Sequence, residues 1–198
     1  MDRHSVIVLG VFGVVLLSLL VIAQGSSGGN PDRPIITGEV PNAAAGYLKI
    51  GDIKGESSDK EHKEWIIIDS LQQGIFRDGS LIRDNARFED IVIKKGVDKS
   101  TPKLQEAIAM GSNFPDIEIE LVRDYPSSGE QTYYRVELKN VKITSYLLNS
   151  AGLDEATISN EQISLNFEEI KIIYTEYDKQ GSSKGNVEFE WKVEEGES

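Results

Sequence analysis

The chain has 198 residues, of which 39% are hydrophobic and 27% are charged, a composition typical of one globular domain with a short appendage. The 33 acidic and 21 basic residues give a formal net charge of −12, which argues against binding of nucleic acid because phosphate backbones require a basic surface. Cysteine is absent, and His4 and His62 are the two histidines. Disulfides and thiolate sites are therefore excluded, and little is left for zinc or triad chemistry.

The first 23 residues have the pattern of a signal peptide or a membrane anchor. Residues 6–23 carry no charge, follow Arg3 and His4, and end at the small residue Ala23. This run of 18 residues exceeds the usual apolar region of a signal peptide, about 7–15 residues, and is near the minimum for a membrane span. Both alternatives are kept, and both predict an N-terminal hydrophobic helix. The protein is expected to be secreted or extracytoplasmic, and bound to the membrane only through residues 6–23 if they are not cleaved.

Two further parts follow this segment. Residues 24–46 are dominated by Gly, Ser, Pro and Ala, a composition that predicts a flexible linker because it buries too little apolar surface to fold alone. Residues 47–198 form the predicted folded domain. Within it, apolar and polar residues alternate in many short segments, which is the pattern of half-buried antiparallel strands. These segments lie at residues 47–50, 88–94, 117–121, 134–138, 163–167, 170–174 and 187–191.

Two strand segments depart from simple alternation. Residues 65–68 form an unbroken apolar run, which predicts a strand covered on both faces. After Leu138 the alternation changes parity at Asn140 and resumes at Val141. A change of parity predicts a β-bulge or a bend in the strand.

One short helix is predicted at about residues 101–110. Thr101 suits the N-cap, Pro102 the first helical position and Gly111 the exit, and Leu104 and Ile108 share one face. A helix of about ten residues is unstable in isolation, so it must pack on the sheet. The predicted fold is mainly β, an antiparallel two-sheet β-barrel or sandwich with one short α-helix.

The sequence offers no residue set for catalysis, cofactor binding or metal binding. His62 lies in a charged segment before a strand and is interpreted as a solvated residue. There is no Gly-x-Ser-x-Gly motif. A pair of carboxylates for glycoside hydrolysis stays an alternative, because 33 acids form many pairs. Most of these acids occupy alternate strand positions, as expected for the solvent-exposed face of a sheet. We therefore expect a protein that is not an enzyme.

The connection formed by residues 74–87 carries four sizeable apolar residues among charges: Ile75, Phe76, Leu81 and Ile82. Apolar side chains of this size are expected to pack against another surface that shields them from water. That surface belongs either to the remainder of the same domain or to a neighbouring subunit. In the second case the contact is head-to-tail, and contacts of this type close into rings when the rotation permits. These four residues are the candidate subunit interface.

Several short motifs also occur in a fixed order along the domain. They lie at residues 47–50, 53–57, 59–66, 98–104, 120–123, 133–141, 164–175 and 188–191. In this order, from Tyr47 to about Val193, the chain resembles the haemolysin-coregulated protein (Hcp) family, the tube protein of type VI secretion. Each motif is weak alone, and their common order carries the resemblance.

The resemblance implies a two-sheet β-barrel flanked by a helix, homohexameric rings that stack into a hollow tube, and no catalytic residue. The implied partners are further copies of the chain and spike, sheath or effector proteins. The chain departs from the family in its leader or anchor, and in having Gln73 before Gly74 where many relatives have an aromatic residue. We expect an exported or membrane-tethered ring protein. The alternative is a secreted β-sandwich module that binds a surface glycan or protein.

Overall fold

The computed structural model describes residues 46–77, 86–149 and 159–193. The hydrophobic helix predicted within residues 1–23 lies outside these ranges, as does the predicted linker except for Gly46, which begins the first strand. The strands are β1 (Gly46–Ile50), β2 (Ile66–Ile68), β3 (Ser70–Gln72), β4 (Ile75–Phe76), β5 (Arg87–Phe88), β6 (Ile91–Gly96), β7 (Asn113–Tyr125), β8 (Gly129–Asn149), β9 (Asn160–Asn166), β10 (Glu169–Tyr177) and β11 (Ser183–Lys192), with helix α1 (Thr101–Met110) between β6 and β7.

Antiparallel pairing closes most of these strands into a barrel, which confirms the mainly β prediction. The order of pairing is β2-β1-β7-β8-β9-β6-β3. β2 and β3 are consecutive parts of one segment, separated by Asp69, whose N–H donates to the carbonyl of Lys94 in β6 at 2.8 Å. The segment therefore leaves β1 and joins β6, and the circuit of hydrogen bonds closes at this point.

The prediction that residues 65–68 are covered on both faces was wrong for the single chain. Ile66 and Ile68 are buried, whereas Ile67 between them is 45% exposed. This segment lies in the barrel wall, so its alternate side chains point inward to the core and outward from the barrel.

The predicted bend in β8 is confirmed at Asn140, which has a φ of 52°. β8 pairs with β10 up to Lys139 and with β9 from Lys142 onward. Leu138 and Val141 are both buried, although they are three residues apart, because the left-handed backbone at Asn140 turns the strand and the apolar side chains after it point inward again. The bend therefore directs the second half of β8 into the barrel and leaves β10 and β11 as a lateral hairpin.

Helix α1 packs against β8 and buries Leu104 and Ala107. Its N-cap is Ser100 rather than Thr101, because Thr101 is already helical and its hydroxyl donates to the carboxylate of Glu161 at 2.9 Å. The predicted exit at Gly111 is confirmed, with a φ of 64°. In the part of the chain that the structure describes, no helix combines the length and the apolar character that a membrane crossing requires.

Candidate self-assembly surface

The lateral hairpin of β10 and β11 carries a row of apolar side chains that the chain itself does not cover. Tyr174, Val187, Phe189 and Trp191 are 46%, 70%, 40% and 40% exposed. We call these four residues the hairpin face. Sheet faces of this kind, with large apolar side chains left open, mark interaction sites in soluble proteins.

The hairpin face is a continuation of the barrel core. Val136 on β8 pairs with Ile172 on β10, and Ile172 pairs with Phe189 on β11. Directly paired residues point to the same face of a sheet, and Val136 is fully buried, Ile172 partly buried and Phe189 exposed. The apolar face of the sheet thus continues from the barrel core onto the lateral hairpin. Among the described residues, no second layer of structure covers it there.

Two aromatic side chains of the face, Phe189 and Trp191, pack against neighbouring rings. The ring of Trp191 lies 6.5 Å from that of Phe189 and 6.3 Å from that of Phe88, in stacked orientations. Phe88 in turn contacts Phe167 edge to face, with a centroid distance of 6.2 Å. Ring packing of this kind limits side-chain motion, so little further ordering is needed on binding.

The opposite side of the hairpin is charged. Lys171 pairs with Glu188 at 3.0 Å, and Lys192 pairs with Glu169 at 2.9 Å. The hairpin therefore has one charged, solvent-exposed face and one apolar face. This is the pattern of a sheet that is packed against a partner on its apolar side.

Two of the predicted interface residues lie beside the hairpin face. Ile75 and Phe76 form β4, are exposed, and pair with Phe88 and Arg87 of β5. Phe88 connects the two hairpins because it also stacks on Trp191. The other two predicted residues, Leu81 and Ile82, lie outside the described residues.

Sequence reasoning missed the larger part of this surface. It identified the alternation within residues 187–191 but not that this apolar face is left open, and the structure leaves Trp191 40% exposed. Alternation shows that a strand has an apolar face, but it does not show whether the same chain covers that face.

A groove of about 610 Å³ runs beside the hairpin face. Its wall includes Ile172 of β10 and Ile75 of β4, together with Leu121 and Tyr134. Gln73, which follows β3, also lines the groove. Since Ile75 and Ile172 border both features, the groove and the hairpin face belong to one continuous surface.

The interpretation of His62 as a solvated residue was wrong. His62 is 4% exposed, and its ring stacks on Tyr47 with a centroid distance of 4.1 Å. Its Nδ1 lies 2.7 Å from an oxygen of Asp59 and its Nε2 lies 3.0 Å from an oxygen of Glu120. The loop between β1 and β2 is thereby fixed to the outside of the barrel.

The charges around His62 shift the pKa values of their neighbours. Burial works against ionisation of Glu120, but hydrogen bonds from Thr132 and His62 and the charge of Arg135 outweigh it and lower the pKa of this carboxyl. Burial, followed by the nearby carboxylate of Glu130, raises the pKa of Tyr47 to about 12.

One set of residues near His62 has the spacing of metal ligands. Ligand atoms of Asp59, His62 and Glu130 lie within 4.8 Å of one another. Both ring nitrogens of His62 already face carboxylate oxygens, so hydrogen bonding explains the cluster without an ion.

The closed barrel with a flanking helix is a fold that solved structures share with this chain. A solved structure described as a type six secretion system protein aligns with a TM-score of 0.69 and 23% identity over 76% of this chain and 96% of its own. Hcp1 from Salmonella typhimurium aligns with a TM-score of 0.62 and 22% identity over 76% of this chain and 94% of its own.

Sequence comparison leads to the family. The family model described as "Type VI secretion system effector, Hcp" matches residues 47–174. Protein hcp1 from Pseudomonas aeruginosa is 28% identical over 154 residues, which cover 74% of this chain and 93% of hcp1. The chain belongs to the Hcp family, as its ordered motifs predicted.

Proposed function

We propose that this chain is an exported or membrane-tethered Hcp-family structural subunit that assembles with copies of itself into closed rings, with six copies the expected number. The hairpin face carries the proposal. It is an ordered apolar surface, charged on its reverse side, that continues the core and lacks a covering layer among the described residues.

Ring closure requires a contact between two different surfaces of the same protein. The hairpin face supplies one of them, and Ile75 and Phe76 extend it through Phe88. Trp and Tyr are over-represented among residues that dominate binding energy at interfaces, and Trp191 and Tyr174 fit that role. The other surface belongs to the adjoining copy.

The proposed role is geometric, and no bond is made or broken. Ring subunits of this kind would enclose a space for an effector and present their ends to spike or sheath proteins, the partners that the family resemblance implies. Neither a cofactor nor a metal enters this function.

The proposal is tested on the full chain by electron microscopy and by native mass spectrometry, which counts subunits. We expect closed rings for the wild type. Phe189→Thr removes an aromatic ring from the hairpin face and should weaken assembly by about thirtyfold, corresponding to roughly 2 kcal/mol for a central interface residue. Phe76→Asp should prevent assembly while leaving the circular dichroism spectrum unchanged.

The matched control is Glu188→Thr. Glu188 is on the same strand but on the charged side, and its ion pair with Lys171 is half exposed, so its loss should have little effect. A wild type that stays monomeric at tens of micromolar, or equal assembly by both Thr variants, contradicts the proposal.

A secreted binding module is the second candidate, because exposed aromatic side chains also suit carbohydrate or protein ligands. Trp191, Phe189 and Tyr174 are the residues that favour it. Screening the full chain on a glycan array separates the candidates. Saturable glycan binding that Trp191→Ala abolishes, together with a monomeric mass, would support the module.

A further inference from the structure

Gln73 contains a hydrogen-bond donor that is buried without an acceptor. Among the described residues, its Nε2 is the one buried side-chain nitrogen or oxygen without a hydrogen-bond partner. Burying a polar group in this way is unfavourable, and most buried polar groups in native proteins are paired. An unpaired buried amide therefore requires an explanation.

The position of Gln73 suggests what the missing acceptor is. Gln73 lines the groove whose other walls are apolar or aromatic and include Leu121 and Tyr134. A ligand that fills this groove would contact apolar walls and one amide donor. The complementary group is an apolar segment that carries a carbonyl or carboxylate oxygen.

The groove and the hairpin face share their boundary. Ile172 lines the groove and pairs with Phe189 of the hairpin face, and Ile75 lines the groove from β4. A partner that covers the hairpin face therefore lies next to the groove. In the proposed ring, that partner is the adjoining copy.

We propose that the groove receives the adjoining copy of this chain and that the Gln73 amide donates a hydrogen bond to an oxygen atom of that copy. This inference rests on the proposed ring function and adds a polar contact at a named residue. In the isolated subunit the donor is unpaired, and in the ring it is paired. Gln73 thus destabilises the free subunit and stabilises the assembly.

The opposite signs of these two effects give the test. Gln73→Met keeps the length of the side chain but removes the amide. When both full-length proteins are monomeric, the variant should unfold at the same or a higher urea concentration than the wild type. Its assembly, measured by native mass spectrometry, should be weaker by about tenfold, the loss expected for one interface hydrogen bond.

Gln72→Met is the matched control, because Gln72 is the adjacent residue but is exposed at the end of β3. It should change neither quantity. Gln73→Leu, a second variant without the amide, should reproduce Gln73→Met and guards against a local packing effect of one side chain.

The possible failures differ from one another. A wild type that does not assemble overturns the ring function and this inference together. A wild type that forms rings, with Gln73→Met and Gln73→Leu assembling as well as Gln72→Met, overturns this inference alone. The groove would then be covered by a different partner or by another part of the same chain.

Discussion

At the scale of single residues, the contacts of His62 and Glu120 make the stability of the fold depend on pH. Asp59 and Glu120 both have pKa values below their ordinary values of 3.8 and 4.5. In Asp59, burial works in the opposite direction but is outweighed by hydrogen bonds from the backbone and ring of His62. The folded protein therefore binds protons at these sites less tightly than the unfolded chain does. The resulting stabilisation is complete above the ordinary pKa values and is lost as the pH falls through the lowered ones.

Glu120→Gln removes one of these carboxylates and should make the free energy of unfolding less dependent on pH below about 4.5. The measurement is urea unfolding of the full chain at a series of pH values. Glu106→Gln, a change on the exposed side of the helix, is the control and should follow the wild type. A Glu120→Gln variant with the same acid dependence as the wild type contradicts the assignment of this carboxylate as a stabilising anion.

At the scale of elements, a buried ion cluster attaches helix α1 to the barrel. Lys95 of β6 is fully buried and lies directly opposite Glu161 of β9. Its ammonium donates to Glu161 at 2.6 Å, to Asp98 at 2.8 Å and to the carbonyl of Gly96 at 2.7 Å. The second oxygen of Glu161 accepts from the hydroxyl of Tyr146 at 2.9 Å. The Lys95 ammonium thus donates all three of its hydrogen bonds near the start of helix α1.

Lys95→Met should destabilise the fold by about 3–5 kcal/mol, because it leaves the Glu161 carboxylate buried without its cation. Adding Glu161→Leu should recover part of this loss, since the uncompensated charge is then removed as well. Urea unfolding of the two single variants and the double variant gives the coupling energy. Additive effects would show that the two charges do not depend on each other.

At the scale of the whole molecule, the net charge of −12 opposes self-association, because each copy repels the next. If apolar contact at the hairpin face holds the ring, salt should strengthen assembly by screening this repulsion. Raising the salt concentration from about 20 to 200 mM should therefore shift the full chain toward the ring in native or light-scattering measurements. Weaker assembly at higher salt would indicate that ion pairs between subunits dominate the contact.

The sequence by itself determined much of the local structure. The strand segments, the exit of the helix at Gly111 and the bend at Asn140 could all be predicted, because each depends on periodicity or on backbone preferences within a few residues. The order of the motifs also indicated the family. Lys95 was missed, although it falls on the same parity as the buried Ile91 and Ile93 and the pattern could have placed it inside.

Only the tertiary structure decided which apolar and polar groups are covered. Burial depends on segments that are distant in sequence. His62 is buried because Glu120 and Asp59 meet it on the outside of the barrel, and Trp191 is exposed because no second layer among the described residues covers the apolar face of β11. The closure of the barrel at Asp69 likewise requires β1 and β6 to approach the same segment from two sides. Periodicity records which face of a strand is apolar, whereas the three-dimensional fold determines what lies against that face.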